Sequence, residues 1–234
     1  MNRPKTILVA ALAAILLMSW GSSHLNPYFL FILYDIGINV ILAVSLNLIN
    51  GFTGQFSIGH AGFMAIGAYS SAAVTYYLGP DILASAILPP LILKWLFFIL
   101  ALTIGGSMAA LAGVLVGIPS LRLKGDYLAI VTLGTGEIVR IVLNNLDSVT
   151  GGPNGLLGID HPTVWGINYN FGVQSAPYYY LVFIIILVMV FFLKRLENSR
   201  LGRAWMAMRE DELAAASMGI NLPKAKISAF FIGG

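Results

Sequence analysis

Apolar residues run through this chain in long unbroken blocks divided by short polar or glycine-rich breaks, without the alternation that marks a half-buried strand. The blocks cover residues 6–20, 28–50, 58–78, 95–117, 127–144 and 177–193, and another opens at Ile227. An α-helix needs about 20 apolar residues to cross about 30 Å of hydrocarbon, whereas barrel strands alternate over about ten. The pattern predicts an all-α, polytopic integral membrane protein with six full transmembrane helices and the start of a seventh. The final block holds 8 residues, too few to span a bilayer. The chain is therefore expected to be truncated at its C-terminus, or completed by a helix supplied elsewhere. Block 6–20 follows Arg3 and Lys5 and reads either as a signal peptide or as a first membrane helix.

Composition agrees: 58% of residues are hydrophobic and 10% charged, and the mean hydropathy is +0.86. That is too little polar surface for a soluble globule. The net charge of +3 does not point to nucleic acid, because the cations lie in short loops beside apolar blocks, where Lys and Arg set membrane orientation. Arg3 and Lys5, Arg122 and Lys124, and a charged island at 194–226 all fall on one side, which puts the N-terminus in the cytoplasm; only Lys94, beside Trp95, dissents. With no Cys, and with His24, His60 and His161 scattered, no disulfide framework or metal spacing is visible.

Several polar residues interrupt the blocks. Asp35, Asn39 and Asn47 fall at multiples of four, a stripe that should face protein or water and not lipid. Residues 50–62 (NGFTGQFSIGHAG) combine Gly51, Gly54 and Gly59 with Gln55 and Ser57. This reads either as a broken or re-entrant segment near residues 50–60 that lines a cavity, or as a tight loop followed by a packing face. Glycine and alanine recur at Gly105, Ala109, Gly113 and Gly117, a ridge suited to close helix packing. Asp126 is placed to cap the helix over 127–144. Inside that helix Glu137 and Arg140 are three apart and can pair; an unpaired Arg at mid-bilayer costs roughly 2.5 to 3.5 kcal/mol. The pair serves either packing or a solute path. Residues 145–176 form a long loop without Lys or Arg, in which Thr150 opens a glycine cluster that lacks the ending of a phosphate-binding loop.

The island holds 7 of the 13 Lys and Arg residues. Trp205, Met208, Glu212, Ala215 and Gly219 step by three or four, so one helix over 203–219 would mix apolar anchors with a carboxylate. Such a face suits another protein's groove, or an anionic lipid surface. Gly219 and Pro223 then end that helix, and Lys224 and Lys226 return the chain to the membrane.

Glu212-Leu-Ala-Ala-Ala216 followed by Gly219-Ile220-Asn221 resembles the coupling-loop motif of bacterial ABC importer permeases, with Leu213 where the signature has Ala. Residues 47–62, Gly125-Asp126-Tyr127, Thr150-Gly-Gly-Pro-Asn-Gly155 and residues 202–212, in that order, resemble the LivM-type permeases of branched-chain amino-acid importers over nearly the whole chain from Tyr28.

The resemblance implies a single permease domain at 1–234 in the bacterial inner membrane, with a cytoplasmic coupling loop at 194–226 and a periplasmic loop at 145–176. It implies Arg203, Trp205, Met208, Arg209, Glu210, Asp211, Glu212, Ala215 and Gly219 as the ATPase-coupling residues. An amino acid needs polar groups on its path, and the candidates are Asp35, Asn39, Gly51, Gly54, Gln55, Ser57, Gly59, Glu137, Arg140 and Thr150. The implied partners are a second, LivH-like permease subunit, two cytoplasmic ABC ATPase subunits that use ATP, a periplasmic amino-acid-binding protein and membrane lipid. This chain itself would bind no cofactor and catalyse no reaction. Two other readings remain: an importer of urea or short amides, and an ion-coupled secondary carrier that works without ATPases.

Overall fold

The computed structural model describes residues 27–84, 89–121, 123, 125–159 and 176–234. Block 6–20 with its flanking Arg3 and Lys5, and His24, Arg122, Lys124, His161 and residues 160–175, lie outside the described residues. Those that are described form helices and connections, with no strand among them.

The helices are α1 (Pro27–Asn47), α2 (His60–Ala73), α3 (Gly79–Ala84), α4 (Pro90–Ser120), α5 (Asp126–Asn145), α6 (Asp147–Thr150), α7 (Ala176–Glu197), α8 (Arg200–Glu210), α9 (Glu212–Ser217) and α10 (Leu222–Gly233). Wider π-helical turns extend α1 over Leu48–Phe52 and α2 over Val74–Leu78. Two stretches, Phe31–Phe52 and Ile92–Ser120, are long and apolar enough to cross a membrane on length and composition.

Backbone approaches set the helix directions. Gly37 of α1 faces Val182 of α7, and the C-terminal ends of both helices meet α8, so they run parallel. Gly59 and Gly62 meet Thr132 and Gly136, so α2 runs parallel to α5. Gly67 lies on Gly105 and Ala109, and Gly105 on Ser71, so α4 opposes α2; Gly113 and Gly117 lie on Phe230 and Gly234 on Ala109, so α4 also opposes α10. Consequently α1, α4 and α7 end, and α2, α5 and α10 begin, at one end of the bundle. The ridge at Gly105, Ala109, Gly113 and Gly117 packs helices, as its spacing predicts.

The core gathers at that same end. Leu48, Ile49, Phe63, Val116, Leu128, Trp205, Met208 and Phe230 pack in one buried cluster, joining α1, α2, α4, α5, α8 and α10.

Three expectations change. Asp126 is the first residue of α5 and does not cap it; Gly125 takes the capping position with φ +56°, a conformation that favours glycine. The single helix expected over 203–219 is two, broken at Asp211. Pro223 does not end the docking helix but opens α10, where its missing N–H costs nothing.

Candidate functional site

Two groups of predicted residues meet at the core end of the bundle: the connection from α1 to α2, and the charged island.

Between the π turn and α2 the chain is irregular, and side chains supply what a helix ladder would. Asn50 pairs both backbone groups of Ser57: its Oδ1 accepts from the Ser57 N–H at 3.0 Å, and its Nδ2 donates to the Ser57 carbonyl at 3.4 Å. Thr53 Oγ1 donates to the Ile49 carbonyl (2.6 Å). The Ile58 N–H reaches across to Thr132 Oγ1 of α5 (3.1 Å). Ser45 Oγ lies 2.6 Å from His60 Nε2. Thr53, Gln55, Ser57 and His60 are all buried, and the side-chain amide of Gln55, the Ser57 hydroxyl and His60 Nδ1 have no partner among the described residues. Buried polar atoms of this kind cost about 1 to 3 kcal/mol each when left unpaired.

The island is three helices with a side-chain cap on each. Ser199 Oγ accepts from the Gly202 N–H (3.2 Å), Asp211 Oδ1 from Leu213 (2.7 Å) and Ala214 (3.1 Å), and Asn221 Oδ1 from Lys224 (3.1 Å). Gly219, at φ +85°, closes α9, and the Ile220 N–H returns to the Ala215 carbonyl at 3.1 Å.

Trp205 and Met208 are 1% and 2% exposed, so they anchor α8 to its own chain and do not form an outward face. Trp205 Nε1 donates to the Ala225 carbonyl (2.9 Å) and to Ser228 Oγ (3.2 Å) of α10. Lys226 is likewise no surface cation: it is 4% exposed, and its Nζ lies 2.7 Å from Glu212 Oε1. Ala215 is buried, while Arg203, Arg209, Glu210 and Asp211 are exposed. The apolar residues that face outward are Leu213 and Met218 of the α9 loop, 74% and 84% exposed. Sequence spacing had passed over both; Leu213 stood out only as a departure from the motif.

Beyond the shared core, Arg209 joins the two groups. Arg209 Nη1 donates to the Gly51 carbonyl (3.0 Å), and Gly54, at φ +69°, lies against the Arg209 side chain.

The remaining solute-path candidates are elsewhere. Asp35 and Asn39 are on an exposed side of α1, with Asn39 Nδ2 donating to the Asp35 carbonyl (2.9 Å). Glu137 and Arg140 pair as predicted, with Arg140 Nε 3.1 and 3.0 Å from the two Glu137 oxygens, on an exposed side of α5. Thr150 is buried at the opposite end, where its hydroxyl donates toward the Leu143 (2.6 Å) and Leu146 (2.8 Å) carbonyls and accepts from the Gly152 N–H (3.2 Å). It holds a turn. An apolar cleft of about 140 Å³ lies between α2, α4 and α5, bordered by Phe63, Ile66, Val116, Thr132 and Val139.

An apolar helical chain with this capped polar island has the character of a membrane permease, and comparison with known proteins agrees. Residues 28–234 match the family described as branched-chain amino acid transport system / permease component. The chain belongs to that family. It is 41% identical to the high-affinity branched-chain amino acid transport system permease protein LivM of Escherichia coli, over 83% of this chain and 47% of the relative. Its counterpart in Salmonella typhimurium is 40% identical over the same shares. A probable branched-chain amino acid transport permease protein LivM of Methanocaldococcus jannaschii is 27% identical over 86% of this chain and 62% of that protein. The chain thus spans about half the length of the bacterial relatives. No solved structure matches it.

Proposed function

We propose that this chain is a membrane-spanning permease subunit of an ATP-driven importer that moves branched-chain and other hydrophobic amino acids into the cytoplasm. It crosses the bacterial inner membrane with six full helices, the island end facing the cytoplasm, and pairs with a second, LivH-like permease subunit. A periplasmic amino-acid-binding protein delivers solute to the 145–176 loop. Two ABC ATPase subunits bind and hydrolyse ATP and grip the island; this chain carries no nucleotide site.

The observation that carries this reading, beside family membership, is the form of the island. A six-residue helix, α9, is capped at both ends and presents Leu213 and Met218 outward, while Trp205 and Met208 fix its base in the core. Exposed apolar residues in a charged loop are what a groove in a partner would cover. Motion of the partner then passes to the bundle as rigid-body displacement. In this reading Gln55 and Ser57 are the foremost polar groups on the path, since their side chains are buried without a partner among the described residues.

The test is uptake of labelled leucine by cells that hold the whole importer. Competition by excess isoleucine and valine, but not by urea, supports the proposal. Uptake that persists without the ATPase subunits would instead establish an ion-coupled carrier, and competition by urea alone would change the solute.

A further inference from the structure

Glu212 is the acidic residue of the motif and was expected to face a partner, yet its carboxylate is turned inward. Its Oε1 lies 2.7 Å from Lys226 Nζ, with the Glu212 side chain 25% exposed and that of Lys226 5%. Lys226 sits in the second turn of α10. A buried ammonium in that position is tolerable only with an opposing charge against it.

We propose that Glu212 and Lys226 form an intrachain latch that makes α9 move with α10, so that Lys226 is a positioning residue for transport. This rests on the reading that α9 docks on an ATPase subunit. Six residues do not hold a helix in place by themselves, and Ala215 is the buried residue of α9. The α9 segment is bounded by the break at Asp211 and the glycine turn at Gly219, about which it can pivot. The ion pair spans that pivot. On its far side, α10 is fastened by the Trp205 bonds to Ala225 and Ser228, and by Phe230 packed on Gly113 and Gly117 of α4. A push on α9 therefore reaches α10 and α4 by way of this ammonium–carboxylate contact, beside the packing of the buried Ala215.

The experiment uses the complete importer in membranes and compares Glu212→Lys, Lys226→Glu and the double exchange. It reads the amount of inserted chain, retention of the ATPase subunit on co-purification, and leucine uptake. The latch predicts that Lys226→Glu retains the ATPase but loses at least tenfold in uptake, and that the double exchange regains at least a third of it. Uptake unaffected by Lys226→Glu, or a double exchange as inactive as Glu212→Lys alone, would overturn it.

As a second arm, Cys is placed at both positions in this Cys-free chain and joined by a short thiol cross-linker. The latch predicts higher uptake linked than unlinked; equal uptake in the two states overturns it, including where the charge variants fail to accumulate. An unaltered chain that retains no ATPase would instead refute the docking reading itself.

Discussion

Arg209 Nη1 donates a 3.0 Å hydrogen bond to the carbonyl of Gly51, 158 residues earlier in the chain. It ties the charged island to the π turn that precedes the buried polar groups. Replacing Arg209 by Met keeps most of the aliphatic stem against Gly54 and removes the bond. The expected loss is about 1 kcal/mol of stability, since the neighbouring pair with Glu210 is exposed and contributes little. Uptake is expected to fall several-fold more than this loss accounts for, because the connection at 53–59 is released. Thermal unfolding in detergent beside leucine uptake checks both parts.

Trp205 is the main anchor of the island. Trp205→Ala is expected to cost about 3 to 5 kcal/mol through the cavity it leaves. Trp205→Phe loses the one indole N–H that Ala225 and Ser228 share and is expected to cost about 1 kcal/mol. The ordering of the two variants by unfolding midpoint is the check; similar midpoints would mean that packing contributes little there.

Two glycines of α4 should respond in opposite ways. A Cβ at Gly113 would run into the carbonyl of Phe230, whereas one at Gly106 meets nothing within 4 Å. Gly113→Ala is expected to destabilise by about 1 to 3 kcal/mol as α10 is pushed away. Gly106→Ala should be neutral or gain up to about 1 kcal/mol of helix propensity. Both changes can be read from the yield of monodisperse protein after heating.

Leu213 is 74% exposed, so Leu213→Asp should alter stability by less than about 0.5 kcal/mol. If α9 is the docking helix, retention of the ATPase on co-purification falls at least tenfold. Full retention would move the docking surface elsewhere.

The helical class, the close-packing ridge of α4 and the pairing of Glu137 with Arg140 were legible in the sequence, because each depends on spacing within one helix. The break at Asp211 was also written there: Asp before Glu-Leu-Ala-Ala is an N-cap signal, outweighed in the reading by the longer periodicity of Trp205, Met208, Glu212 and Ala215. Burial of Trp205 was not legible. Periodicity shows which residues share a face, but not whether the covering surface is another protein or, as here, Ala225 and Ser228 of the same chain. The Arg209 contact with Gly51 and the support of Ile58 by Thr132 leave no local trace, since each joins segments far apart in sequence.

Because α1, α4 and α7 end beside the island, each has its near end at the loop and its far end across the bundle. α4, with 31 residues, is a rod of about 46 Å at 1.5 Å per residue. Pivoted at the Ser120 end, a tilt of about 5° would carry the Pro90 end sideways by about 4 Å on that length. If a docked partner displaces α9, as proposed above, a small shift there would become a change of side-chain dimensions at the opposite end of the bundle.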